Sequence, residues 1–224
     1  MDPNVMLLRL KRLARLDTTV FDEVRDDARE LIPSLLVVVV SSLLAGVGAW
    51  LWLALVGHEG LKIDFGNVFI KIILVGTIFN VVLWGFWVAV TYAVLTGYFK
   101  EQCDIQALFR TMGYAAFPLA LTFFMLIPGI SFGIGLAALV LWFVMSIYAV
   151  QSTTSAHSDH VIMSNALGFA VFAIIMAFMA RSSGITTGVF VNTENSFSAG
   201  HGALIKGEYY KVDTGSINLG GVRN

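Results

Sequence analysis

The chain has 224 residues, of which 57% are hydrophobic and only 13% charged, and its mean hydropathy is +0.80. A soluble domain of this length is not so apolar, and the class that remains is an integral membrane protein. A net charge of −1 gives no general attraction to nucleic acid, and a single cysteine, Cys103, excludes an intramolecular disulfide framework or a cysteine-rich metal site.

Residues 4 to 16 carry the first pattern. At about 100° per residue, Met6, Leu7, Leu10, Leu13 and Ala14 fall on one side and Lys11, Arg12 and Arg15 on the other, as in a helix lying in a membrane interface. Asp17, Thr18 and Thr19 interrupt it. Thr19 with Asp22 predicts a capping-box start for a second short helix, Val20 to about Glu30, with Arg25 and Arg29 placed to pair along its acidic face. This charged preamble is longer than thirty residues and at least as rich in acids as in bases. Signal peptides are not built so, and the first apolar run is expected to be retained.

Five apolar stretches follow, at residues 35 to 56, 68 to 95, 112 to 128, 131 to 150 and 162 to 180. Each approaches or exceeds the roughly 20 helical residues that a hydrocarbon core about 30 Å thick requires, and Lys71 is the only formal charge inside any of them. The expected fold is an all-α integral membrane protein. Its five-transmembrane-helix bundle (35–180) is preceded by an amphipathic N-terminal helical segment (1–34) and followed by a polar, Gly-rich C-terminal tail (181–224). The second stretch is long enough to tilt or to leave the bilayer on one side. The third and fourth, joined by Pro128, Gly129 and Ile130, are expected to form a tight antiparallel hairpin. In the tail, Gly188 to Val191 and Ala203 to Val212 alternate enough for a small β-hairpin, against a polar tail without one.

Arg9, Lys11, Arg12, Arg15, Arg25 and Arg29 all precede the first span, and the first loop contributes only Lys62. The bias predicts a cytoplasmic N-terminus, and five crossings then put the tail outside, although the fourth loop, Gln151 to Val161, has no Lys or Arg.

Within the spans, small residues supply the close approach that lipid-embedded helices need, and Ala166, Ala170, Ala173, Ala177 and Ala180 make one seam along the fifth. Ser42 with Gly46, Ala45 with Ala49, and Gly133 with Ala137 repeat the pattern. The candidate intramembrane polar residues are Lys71, near a span end and able to snorkel, and the more central Asn80; no Asp or Glu lies there to support an acid-driven ion relay. His157, Asp159 and His160 have metal-ligand chemistry but are too close in sequence to close a site alone, and loop termination and capping of the fifth span is their expected use, with no metal. No phosphate-cradling glycine loop, nucleophile elbow or paired-His zinc helix occurs, and neither enzyme activity nor a cofactor is expected.

Several elements carry a resemblance: Leu108-Phe109-Arg110, Gly113-Tyr114 followed by Pro118, the Pro128-Gly129 turn, the Ser/His-containing loop leading into Asn165-Ala166, and the preamble from Leu16 to Val24. Over roughly residues 16 to 180 the chain resembles the Yip family of Ypt/Rab-interacting membrane proteins, in the five-span form of bacterial members. That resemblance implies a cytosolic N-terminus, five spans, no enzyme activity and a bacterial cytoplasmic (inner) membrane. The Asp-Leu-Tyr-Gly-Pro element of eukaryotic members is missing, as is any family counterpart of the tail. The expected role is a non-enzymatic membrane scaffold or accessory subunit organising a membrane complex, membrane shape or traffic. Its expected partners are membrane lipids and either another membrane protein or a second copy. The alternative is a small-solute or ion permease or channel lined around Lys71 and Asn80.

Overall fold

The computed structural model describes residues 3–55, 69–127 and 130–183, without the side chains at 53, 54, 71 and 179–183. The first loop, the Pro128-Gly129 turn and the tail with its expected hairpin lie outside the described residues.

Helix α1 (Pro3–Leu13) ends in a hydrogen-bonded reversal: the Asp17 and Leu16 amides donate to the Arg12 and Leu13 carbonyls, with Leu16 in the left-handed region at φ 63°. The expected capping box does not form. Thr19 donates both its amide and its hydroxyl to Asp17 Oδ1, so Asp17 organises the turn before α2 (Val20–Asp26). Helix α2 also stops short of Glu30. Asp27 is extended and accepts from the Arg29 amide, which opens a 3-10 turn (Ala28–Glu30) leading into α3 (Leu31–Leu55).

Five helical segments are long and apolar enough to cross a membrane, and no strand occurs among the described residues. The first is α3. The second is a π-helical turn (Ile70–Val75), α4 (Gly76–Ala93) and a further π-helical turn (Val94–Tyr98). The third is α5 (Ile105–Ala115), continued beyond Pro118 as a 3-10 helix (Phe117–Leu126), and the last two are α6 (Ser131–Gln151) and α7 (Ser158–Ser183). The third span therefore starts at Ile105 rather than at Met112. Asp104 caps it by accepting from the Gln106 and Ala107 amides, which extends the helix through Arg110. Lys71 is consequently not the only formal charge in these segments: Arg110 lies in the third and Asp159 in the first turn of the fifth, while Arg29 and Glu30 stand directly before the first.

The broken third span is the axis of the bundle. Its α5 half packs on α3, α4 and α6, and its 3-10 half lies between α3 and α6. Pro118 is buried at the junction, where its missing N–H ends the α-helix and the tighter 3-10 geometry takes over. Helix α7 packs on α4 and α6 and is the most peripheral, with 33% of its apolar window buried against 67% for the third span.

Glycine decides two of these approaches. A Cβ on Gly113 would meet Ser34 Cβ at 2.7 Å and the Ser34 carbonyl oxygen at 2.9 Å, so α5 and α3 touch backbone to backbone there. A Cβ on Gly168 would meet Thr91 Oγ1 and Trp87 Cδ1, both at 2.5 Å, so α7 sits directly on α4. Gly133, by contrast, has nothing within 4 Å of its added Cβ, and Ala137 beside it is exposed.

The alanine seam is not the surface that α7 offers to the bundle. Ala170 and Ala177 are exposed and Ala166 and Ala173 only half-buried, while Val161, Asn165, Gly168, Phe172 and Met176 are buried. At about 100° per residue the buried face lies roughly a third of a turn from the alanines, because large aromatic neighbours on α4 and α6 select it. Trp87 lies 5.2 Å from Trp142 and 5.7 Å from Phe172, centroid to centroid. Ala180 belongs to the same row, but its side chain lies outside the described residues.

Replacing Gly113 by Leu forces the α3–α5 contact apart and is expected to cost about 3 kcal/mol, whereas Gly133→Leu leaves stability within about 0.5 kcal/mol. Unfolding midpoints of the two variants in detergent check this; equal midpoints would contradict the Gly113–Ser34 approach.

Candidate functional site

The ends of three connections meet on one face of the bundle, the face that carries α1 and α2. Glu30, the residue before α3, is bound at both oxygens: Arg9 Nη1 lies 2.6 Å from Oε1, and the Tyr114 hydroxyl donates to Oε2 at 2.6 Å. All three side chains are largely or wholly enclosed. Tyr114 is fully buried, and Arg9 and Glu30 are 11% and 12% exposed at their side chains. Burial alone would lower the Arg9 pKa; the hydrogen bond and charge of Glu30 override it and hold the guanidinium above its ordinary value.

Around this centre the other arginines act as tethers. Arg12 reaches Asp17, Glu23 and Thr19 at 2.8, 2.6 and 3.0 Å, closing α1 onto α2. The Thr19 hydroxyl, followed by Arg12, pulls the Asp17 carboxyl below the ordinary aspartate range. Arg110, only 6% exposed, donates to the Arg25 carbonyl at 2.6 Å, and Arg25 in turn donates to the Ser152 carbonyl at 2.7 Å. The preamble, the third span and the fourth loop are thus chained together.

The second and fourth loops join the same cap. Thr154 donates to the Gln102 carbonyl, and His160 Nδ1 lies 2.9 Å from Glu101 Oε1 while its ring stacks on Phe99 at 4.2 Å. His157 and Asp159 are exposed, with Asp159 Oδ2 4.0 Å from His160 Nε2 and the His157 ring 6.1 Å from the His160 ring, yet among the described residues no group of three His, Cys, Asp or Glu is placed to hold a metal ion. Burial pushes the Cys103 thiol pKa up, and its sulfur rests 3.5 Å from Thr153 Oγ1. A thiol so disposed is packing rather than a nucleophile.

Inside the bundle, polar side chains tie helices in pairs and triples. Asn80 donates to Ser42 Oγ at 2.7 Å, and Ser42 donates to the Val38 carbonyl. Asn165, fully buried, accepts from Trp87 Nε1 at 3.1 Å and donates to Ser146 Oγ at 2.7 Å, linking α7 to both α4 and α6. Lys71 belongs to the π-helical turn at the start of the second span, and its side chain lies outside the described residues.

Sequence reasoning found Asn80 and Tyr114 but passed over Glu30, Arg110 and Asn165 as working groups. Asn165 had the same signal as Asn80, an amide inside an apolar run. Glu30 and Arg110 had only their closeness to span ends, since their partners are far away in the chain.

No protein-family model, no curated protein and no solved structure matches this chain.

Arg9→Gln removes the charged partner of Glu30 and is expected to release α1, raising the rate of tryptic cleavage after Arg12 and Arg15 about tenfold, with a smaller rise for Tyr114→Phe. Cleavage rates equal to those of the unaltered chain would mean that α1 is held by its apolar face alone. Asn165→Leu loses two interhelical bonds and is expected to cost about 1–2 kcal/mol, against about 0.6 kcal/mol for Asn80→Leu, read from unfolding in detergent or bicelles.

Proposed function

We propose that this chain is a non-enzymatic scaffold or accessory subunit of a bacterial cytoplasmic membrane, with the charged cap in the cytoplasm and the tail outside. The observation that carries the reading is the use of the intramembrane amides. Asn80 and Asn165 are buried and bonded to neighbouring helices, an arrangement that favours a closed, rigid bundle over a solute path. The resemblance to the Yip family supports the same role, including association with other membrane proteins or a second copy. The six Lys and Arg residues before the first span, against Lys62 alone in the first loop, support the orientation. Ala170 and Ala177 of α7 and the Gly133–Ala137 edge of α6 are exposed and would accept close helical neighbours.

In-membrane crosslinking followed by purification in mild detergent tests this. The expected product is larger than the 24.4 kDa chain, and Ala170→Trp with Ala177→Trp disperses it without lowering the unfolding midpoint. A product that stays monomeric throughout, with no effect of deleting residues 1 to 30, removes the proposal.

One observation favours the permease reading. The hydroxyls of Thr91 on α4 and Ser164 on α7 are buried without a hydrogen-bond partner among the described residues. Proteoliposomes decide it: a permease gives solute or ion flux that Asn80→Leu alters, and no flux eliminates it.

A further inference from the structure

The outward side of α1 has the chemistry of a lipid-binding surface, and it shares only Leu7 with the apolar side that periodicity selects. Leu13 is fully buried, Met6 and Leu10 pack against the same core cluster, and Arg9 is turned inward to Glu30. The apolar edge expected to enter the membrane interface is therefore largely covered by protein. Outward stand Leu7, at the border of that apolar row, and Leu8, 60% and 58% exposed, interleaved with Lys11 and Arg15. Neither of these two cations makes an ion pair or side-chain hydrogen bond among the described residues. The acids that reach α1, namely Asp17, Glu23 and Glu30, all bind Arg9 or Arg12 and leave the Lys11–Arg15 side uncompensated.

The Arg9–Glu30 pair places α1 beside the start of the first membrane-length helix. Glu30 immediately precedes Leu31, the first residue of a membrane-length helix, so the 2.6 Å contact holds α1 at the level where that helix enters the bilayer. Ile32, 70% exposed, lies in the same first turn of α3. At that level exposed leucines meet the acyl boundary, while an ammonium and a guanidinium meet headgroup phosphates.

We propose that the Leu7, Leu8, Lys11 and Arg15 side of α1 docks on anionic phospholipid in the leaflet on its own face of the bundle. Two free cations beside two exposed leucines match a negatively charged, apolar-backed surface, and among the described residues no acid on that side of the helix attracts a basic protein. The inference does not depend on the scaffold role, since it concerns lipid chemistry at one helix and holds for a permease equally.

The test uses the full chain with Cys103→Ser and a spin label at Leu8→Cys, in nanodiscs of phosphatidylcholine alone or mixed equally with phosphatidylglycerol. Accessibility to oxygen and to a water-soluble nickel chelate reads the position of the label. In anionic discs the label should be shielded from nickel and open to oxygen, and high salt should reverse this. Lys11→Gln with Arg15→Gln should weaken the preference for anionic discs about 25-fold, from about fivefold per cation, with the unfolding midpoint unchanged. Equal nickel access in both lipids overturns the proposal. So does an anionic preference that survives the double substitution, shielding that rises with protein concentration as contact with a second copy would, or a lowered midpoint that assigns the cations to the fold.

Discussion

A carboxylate at the mouth of a membrane-length helix is the constraint on which much of this structure depends. Glu30 cannot be enclosed there without compensation, because an unpaired buried charge costs several kcal/mol even after relaxation. Its compensation comes from two directions, Arg9 on α1 and Tyr114 on α5, at 2.6 Å each. One side chain thereby fixes the N-terminal helix, the entry of the first span and the depth of the third. The Gly113–Ser34 approach lies next to Tyr114 in the chain, so backbone contact and charge neutralisation reinforce each other at the same crossing.

Below that level the energetics change character. Lipid gives no hydrophobic drive between helices, so packing density and a few polar ties must hold the bundle. The Trp87–Trp142–Phe172 cluster and Asn165 serve the α4, α6 and α7 side, and Asn80 with Ser42 serves the α3–α4 side. Large aromatics determine which face of α7 turns inward. The small Ala170 and Ala177, which offer less dispersion surface, are left on the outside, where close approach by another helix is sterically open.

The spans were legible because twenty apolar residues leave a helix no alternative in hydrocarbon, and all five segments occur close to their expected places. Boundaries were less so. Hydropathy treats an arginine as the end of a span, and the carbonyl that accommodates Arg110 belongs to Arg25, which no local pattern connects with it. The capping box failed for a similar reason: the Thr19 hydroxyl donates to Asp17 and accepts from Arg12 rather than from the amides of its own helix. The amphipathic pattern of α1 is legible in its periodicity, but most of its apolar edge, Met6, Leu10 and Leu13, meets protein rather than lipid.

What the sequence determined by itself was the solvent: composition and run length demand a helical chain that crosses a membrane, with its charge gathered before the first crossing. What only the tertiary structure decided was the use of each face. Periodicity specifies that residues share a side of a helix, but not what that side meets. That depends on side chains distant in sequence and brought close by packing, as Arg9 is to Glu30, Arg110 to Arg25 and Asn165 to Trp87.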